Sequence, residues 1–422
     1  MIKKMVRTTN LSRQMEKQLP AELVEFMQTA GLMAASQGHN LYLVGGVVRD
    51  LILARNNFDL DLVVEDDAIS LAQRLTDTIQ AKITVHRRFN TAKLRWGKWS
   101  ADLTTARSET YEKPGALPRV QPGSLASDLF RRDFTINAMA IELNPTRYGQ
   151  LIDLYDGRED LERGIISLLH ENSFIDDATR IWRALRYEQR LDFHLEPVTL
   201  GLLKRDVPRL DTISGDRLRH ELELVLKEAL PEKAVCRAAE LKVLRQIHPA
   251  LKGDDWLSEK FGQAREISSP NPPSVELYLA LLAYRLSGET EELITKLRLP
   301  GALARTLRDT VSLKAIVKVL ADPDLAPSRI YSLLHDSCRP AINATSIATD
   351  SPVVRRNIQT YLSRLRYVRP ALTGRDLQKM GISPGPRMKD ILKYLHEARL
   401  DGKVTSKREE VNLVKEWVQN HI

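Results

Sequence analysis

The chain has only two cysteines, Cys236 and Cys338, among 422 residues. So few thiols exclude a disulfide-stapled scaffold and a thiolate zinc site, and they suit a reducing compartment. Both are expected to be buried as small hydrophobes. Long apolar runs are also missing. The longest, Val275 to Leu286, carries Glu276 and Arg285, which is too short and too charged for a membrane span. The opening MIKKMVRTTNLSRQ is basic without an apolar stretch, so no signal peptide is expected and the cytoplasm is the expected compartment. There is no low-complexity tract and no internal repeat, which sets aside disordered and solenoid architectures. Neither sign of charge dominates. Sixty-three Lys and Arg against 55 Asp and Glu give +8, a modest bias toward polyanions. The length implies roughly two to four domains with an ample core.

What is present concentrates in Leu41 to Val64, LYLVGGVVRDLILARNNFDLDLVV. The run Leu41 to Val44 reads as a short buried strand, and Gly45 with Gly46 lets backbone approach a ligand that a Cβ would block. A helix from Val47 would aim free N–H groups at the glycines, which suits a triphosphate, and Arg49 adds a charged donor. The plainer alternative is strand-to-helix punctuation. Roughly a dozen residues later, Phe58 to Val64 alternates so that Asp59 and Asp61 share one strand face and Leu60 and Leu62 the other. Two ionised acids together are costly without a cation, and a hard ion such as Mg²⁺ takes carboxylate and phosphate oxygens. A solvated strand face is the alternative for an isolated DxD. Next to the glycine turn, the metal reading of Asp59 and Asp61 is the better one.

Asp102, in WSADLTTAR, falls on a later strand. It could complete a metal cluster, bind an incoming hydroxyl, or simply hydrogen-bond a turn. Arg131-Arg132-Asp133 runs into the apolar FTINAMA; one arginine is expected to be held inward by Asp133 and offered to a phosphate or base.

The motifs LVGGVVRD, FDLD and RRDFTINAMA, in this order and spacing, resemble the class II tRNA nucleotidyltransferases and their bacterial poly(A) polymerase relatives. The resemblance is strong from Asn40 to Phe193 and moderate in the C-terminal tail. Asp153 to Leu161, DLYDGREDL, looks like the family's short link after its catalytic sheet, although Asp-Gly alone reads as a turn. FIDDATRIWRALRY, Phe174 to Tyr187, is similar to the family's nucleotide-selecting helix. Asp177, Arg180, Arg183 and Arg186 are three apart and form a drifting stripe, with Ile181 and Leu185 behind it; without context such a stripe is a solvated face. Where the family has Glu before the acid at Asp177, this chain has Asp176.

Cytosine and adenine each present an amine donor beside an acceptor ring nitrogen, while guanine and uracil present a carbonyl beside an N–H. An ionised Asp177 only accepts and Arg180 only donates, so together they match C and A and mismatch G and U. Discrimination of this kind reaches on the order of 10⁴-fold.

The resemblance implies a multidomain α+β chain: a polymerase-beta-like nucleotidyltransferase head of mixed sheet and helices, then an all-α neck, body and tail. The expected segments are residues 1–36 (N-terminal helices), 37–170 (head), 171–267 (neck), 274–365 (body) and 366–422 (tail), with the linker SSPNPP, Ser268 to Pro273, between neck and body. Asp216 to Leu222 opens a helix read as scaffold.

The implied reaction is attack of a tRNA 3′-hydroxyl on the α-phosphorus of CTP or ATP, adding C, C and A without a template and releasing pyrophosphate. Mg²⁺ on Asp59 and Asp61 is the implied cofactor. Asp102 is a further catalytic candidate, and Gly46, Arg49, Arg132, Asp177, Arg180, Arg183 and Arg186 would hold and select the nucleotide. The expected partners are the tRNA 3′ end and the two nucleotides, with no membrane and no protein partner deducible. Two alternatives stay within this chemistry: an enzyme that adds only A, and a poly(A) polymerase. A noncatalytic RNA-binding protein is the alternative from another class.

The Pro- and Gly-rich Ser108 to Phe130 reads as a loop; in relatives a flexible loop here assists the switch from C to A. Arg355, Arg356, Arg364 and Arg366 among Tyr361 and Tyr367 form a candidate RNA surface, with a solvated basic helix as the alternative. LTGRDL, GISPGP and LDG near the C-terminus are expected to hold helix ends and turns.

Overall fold

The computed structural model describes residues 9–112, 115, 118–286 and 288–420. The basic N-terminal stretch before Thr9, and Lys113, Pro114, Ala116 and Leu117 of the proline-rich segment, lie outside the described residues, and with them the expectations about a leader and a flexible loop tip.

Apolar runs bounded by glycine and polar residues build a seven-stranded mixed sheet. Its strands are β1 (Leu41–Val44), β2 (Leu60–Val64), β3 (Lys82–His86), β4 (Thr91–Trp96), β5 (Trp99–Thr105), β8 (Met139–Glu142) and β9 (Leu151–Asp153), ordered β3-β4-β5-β2-β1-β8-β9. A separate hairpin pairs β6 (Arg107–Thr110) with β7 (Arg119–Pro122). Within the seven-stranded sheet only β2 and β5 run parallel, and the other pairings are antiparallel. Parallel neighbours need a long crossover. Here the chain between β2 and β5 supplies α4 (Ala68–Ile79), which buries Leu71, Ala72 and Leu75, and its N-terminus is capped by the Asp67 carboxylate. Helices α1 (Ser12–Gln18) and α2 (Ala21–Ser36) precede the sheet, and α3 (Gly46–Ile52) follows β1.

After β9 come α5's later companions α6 (Gly157–Arg163), α7 (Ser173–Asp176) and α8 (Thr179–Leu191); α5 itself (Leu125–Phe130) follows the hairpin. The Asp153 carboxylate accepts from the backbone N–H groups of Gly157 and Arg158, each at 2.9 Å, so the acid of the DLYDG segment caps α6. The segment is therefore a turn with a cap built into it.

The chain divides into two compact units. One runs to Glu221 and takes in Leu241–Gln246; the other comprises Leu222–Glu240 and the residues from Ile247 onward. The division falls inside the helix Gly215–Leu226. Among its described residues the regular elements of the second unit are all helices. Leu313, Leu334, Ile342, Val354, Ile358 and Leu365 are among the side chains of one core, and Leu377, Ile391, Leu395 and Val414 belong to another. Its C-terminal part is tied by Glu410, which is fully buried. Glu410 accepts from the N–H groups of Ala371 at 3.0 Å and Leu372 at 2.7 Å and from Arg399 at 2.6 Å. Thr373 and Asp376 form a reciprocal capping box, as the LTGRDL pattern led one to expect.

Four expectations need correction. The segment from Ser108 to Phe130 is not a plain loop, because cross-strand pairing from Arg107–Pro122 to Thr110–Arg119 makes a hairpin and Ser124 caps a helix after it. SSPNPP is a turn inside the second unit: the helices on either side pack, with the Phe261 and Tyr278 rings 4.4 Å apart. Tyr361 is buried in the second unit's core and offers no stacking face. Cys236 and Cys338 are half-buried, within 3.4 Å of the Ser258 and Thr306 hydroxyls. No helix among the described residues is long and apolar enough to cross a membrane.

Candidate active site

Gly45 turns the chain from β1 into α3 with φ of 79°, a conformation that favours glycine. A Cβ there would sit 3.1 Å from Arg132 Nη1 and 3.4 Å from Asp61 Oδ2. The backbone thus passes between a cation and an acid, and the demand for glycine falls on Gly45 rather than on Gly46, whose Cβ would meet only ordinary contacts. Both glycines line a cleft of about 910 Å³ together with Arg49, Asp59, Asp61, Arg132, Asp177, Arg180 and Arg183. That is nucleotide-sized.

Asp61 lies in β2 opposite Val44 of β1 and Asp102 of β5. Asp59 sits one residue before the strand, not within it, and its N–H donates to Asn57 Oδ1 at 3.0 Å. Asn57 in turn donates to Asp50 at 2.8 Å. Solvent reaches Asp61 from the cleft, while protein atoms crowd its other sides. That crowding raises its pKa to about 6; Arg132 opposes the rise, and Asp102 and Asp59 add to it. Oxygen donors facing a cleft, carrying negative charge that the protein leaves partly uncompensated, fit a hard divalent cation. Among the described residues no group of three or more His, Cys, Asp or Glu side chains is gathered closely enough to hold one. Asp102 instead pairs with Lys93 at 2.8 Å.

The arginines are fixed differently from expectation. Fully buried Asp128 on α5 accepts from Arg131 at 2.7 Å and from Arg132 at 2.9 Å. Asp133 binds neither. It accepts from Arg183 Nε at 2.7 Å, Asn137 at 3.0 Å and the Phe134 N–H at 2.9 Å. Burial raises the pKa of Asp133, but Arg183 and Asn137 outweigh it and hold the group down to about 2. Arg132 keeps a buried Nε with no hydrogen-bond partner. Arg49 spends Nε and Nη2 on Asp50 and Nη1 on Asn137, and its guanidinium lies 5.1 Å from the Tyr187 ring centroid.

Asp177 stands in extended backbone between α7 and α8. Its Oδ1 accepts from the Thr179 N–H at 3.0 Å, the Thr179 hydroxyl at 2.7 Å and Arg217 Nη2 at 2.7 Å. Arg180 is buried and donates to Ser173 Oγ at 2.5 Å and to the Arg131 carbonyl at 2.6 Å. Asp176 lies 3.9 Å from His170 and makes no bond to Arg180. Ile181 and Leu185 are fully buried behind the stripe. The lining includes Tyr187 and Arg190 but not Arg186, whose guanidinium lies 5.0 Å from the Tyr187 ring. Asp128 and Arg217 escaped the sequence reading. An apolar ring of neighbours around Asp128 was its only signal, and Arg217 carried none.

In the second unit, Arg355 donates to the Thr349 carbonyl at 2.8 Å and Arg356 to the Pro323 carbonyl at 2.9 Å. Arg364 is exposed, and Arg366 stacks over Tyr367 at 5.1 Å, a ring 67% exposed.

A mixed sheet with a glycine turn, an acid pair and an arginine-bearing helix is the arrangement of a nucleotidyltransferase head. Residues 41–167 match the "Poly A polymerase head domain" and residues 192–254 the "Probable RNA and SrmB- binding site of polymerase A". The chain is 32% identical to the A-adding tRNA nucleotidyltransferase of Halalkalibacterium halodurans, over 98% of this chain and 96% of that one. It is 33% identical to the A-adding tRNA nucleotidyltransferase of Geobacter sulfurreducens, over 97% of this chain but only 48% of the relative, so it spans about half of that protein. The Thermotoga maritima CCA-adding enzyme complexed with tRNA superposes with a TM-score of 0.78 at 29% identity, covering 97% of this chain and 99% of that one. The chain belongs to the tRNA nucleotidyltransferase and poly(A) polymerase family, whose members depend on divalent metal.

Proposed function

We propose that this protein extends the 3′ end of tRNA with nucleotides taken from CTP and ATP, without a template, releasing pyrophosphate. The observation that carries the reading is one cleft lined by both the Asp59 and Asp61 carboxylates and the Asp177 and Arg180 pair. Asp59 and Asp61 would hold Mg²⁺, which when bound neutralises phosphate charge and favours the attacking 3′-oxygen. Arg132, which lines the cleft with its Nη1 beside the glycine turn, receives the triphosphate, and Gly45 and Gly46 let the phosphates close on the backbone. Arg49 and Arg183 are held by Asp50 and Asp133 and shape the floor on which the ribose and base rest. Asp102, paired with Lys93, sets the field at Asp61 from the adjacent strand. Arg186 acts through Tyr187.

Base choice rests on the Asp177 and Arg180 pair. Asp177 Oδ2 has no donor among the described residues, so it is the acceptor open to an exocyclic amine, and Arg180 retains N–H groups for the ring nitrogen. Cytosine and adenine satisfy both; guanine and uracil place a carbonyl against the carboxylate. Arg364, Arg366 and Tyr367 offer tRNA phosphates and an unstacked base a surface on the second unit. The cytoplasm is the compartment of this activity.

Full CCA addition is the reading the base-selecting pair supports, because that pair accepts C as well as A. Restriction to the terminal A is the second reading, favoured by the A-adding names of the Halalkalibacterium and Geobacter relatives. Supplying CTP and ATP separately and together to tRNA transcripts lacking C-C-A, C-A or A separates them. Completion of all three supports the first reading, and extension of only the CC-ended transcript supports the second.

A further inference from the structure

We infer that Arg217 is a specificity-determining residue that fixes the orientation of the base-reading carboxylate; the inference rests on the base-selection reading given above. Arg217 lies in the helix Gly215–Leu226, some forty positions beyond Asp177. Its Nη2 donates to Asp177 Oδ1 at 2.7 Å, with both side chains less than one-third exposed. The same oxygen also takes the Thr179 N–H and hydroxyl. Three donors therefore converge on Oδ1 and saturate it. The other oxygen, Oδ2, is left as the single acceptor for a base.

This asymmetry matters because a carboxylate is symmetric and rotates. Free to turn, it presents either oxygen, accepts water, and tolerates several hydrogen-bond patterns at the base edge. Pinned by three donors on one side, it presents one oxygen in one direction. Residues that lock a reading group improve discrimination more than raw binding. A carboxylate that offers only an acceptor oxygen cannot donate to the carbonyl of guanine or uracil. Arg180 is fixed separately, by Ser173 and the Arg131 carbonyl. Loss of Arg217 therefore frees the acceptor of the pair while leaving the donor in place.

The test is single-nucleotide incorporation into CC-ended tRNA by the full-length protein, measured as kcat/KM for ATP, UTP and GTP separately. For Arg217→Ala the ratio of ATP to UTP or GTP is expected to fall about tenfold or more, mainly through a lower KM for the wrong nucleotides. Arg217→Lys is expected to recover part of the ratio, since it keeps the charge. Thr179→Val removes a second donor from the same oxygen without touching Arg217, and it is expected to shift the ratio in the same direction by a smaller factor. An equal loss for all three nucleotides, with the ratio unchanged in both Arg217→Ala and Thr179→Val, would assign Arg217 a purely structural role and overturn the inference. Wild-type protein that takes UTP and GTP as readily as ATP would instead overturn the base-selection reading itself.

Discussion

Asp61 carries the sharpest electrostatic consequence of a single side chain in the head. Its pKa is raised from 3.8 to about 6 by crowding, against Arg132 and with the help of Asp102 and Asp59. A carboxylate held above its unfolded value costs stability where it is ionised in both states, which is above about pH 6, and costs nothing below about 3.8, where both states hold the proton. Asp61→Asn is therefore expected to raise the melting temperature in chelator near pH 7.5, with the gain fading as pH falls toward 3.8. Thermal melts over that range check it; a variant less stable than wild type near pH 7.5 contradicts the assignment. Asp59→Ala and Asp61→Ala are each expected to reduce incorporation of C and A by about 10³-fold or more while tRNA binding survives. Gly45→Ala adds a Cβ 3.1 Å from Arg132 Nη1 at φ of 79°. It should cost about 1 to 2 kcal/mol and raise the KM for nucleotide, and an unchanged KM would remove Arg132 from the nucleotide's path.

Between elements, the hairpin β6–β7 and α5 meet through carboxylates. Glu109 of β6 accepts from Arg131 at 3.1 Å, and Asp128 of α5 holds Arg131 and Arg132 from a fully buried position. Asp128→Ala would leave the mostly buried Arg132 guanidinium without its anion and Arg131 with Glu109 alone. It is expected to cost about 3 to 5 kcal/mol, on the scale of a broken buried ion pair. Urea unfolding of the variant measures it, and a midpoint equal to wild type contradicts the clamp. The strand–glycine–helix turn and the strand that carries Asp61 were legible because their signals are local: periodicity over a few residues and a residue type tied to a backbone angle. The hairpin was not, because pairing Arg107 with Pro122 depends on partners across a proline-rich stretch that locally reads as coil. Asp133 was assigned to its sequence neighbours, yet its partner Arg183 comes from a helix fifty positions later. A separation of forty positions from Asp177 likewise hid Arg217.

At the scale of the whole chain, the α+β head followed by helices was readable from the loss of strand patterns after Arg190, and the family chiefly from motifs between Asn40 and Phe193. Leu200 to Val368 matched only as helical periodicity, so Tyr361 could not be told from a surface residue and went to the core, while Arg355 and Arg356 each donate to a backbone carbonyl. A net charge of +8 and exposed arginines around Tyr367 are expected to make binding of the proposed tRNA substrate salt-dependent. Binding is expected to fall about tenfold or more between 50 and 200 mM KCl, and filter binding across that range would expose a salt-insensitive, nonionic interface if the account is wrong.

The most direct test of nucleotidyl transfer is to give the purified protein, Mg²⁺, CTP and ATP to a tRNA transcript ending in CC and to follow its 3′ end. The account predicts addition of one A, growth stopping there, and loss of the product in Asp61→Ala. A CC end left unextended while tRNA remains bound would contradict it and leave an RNA-binding protein on a retained fold.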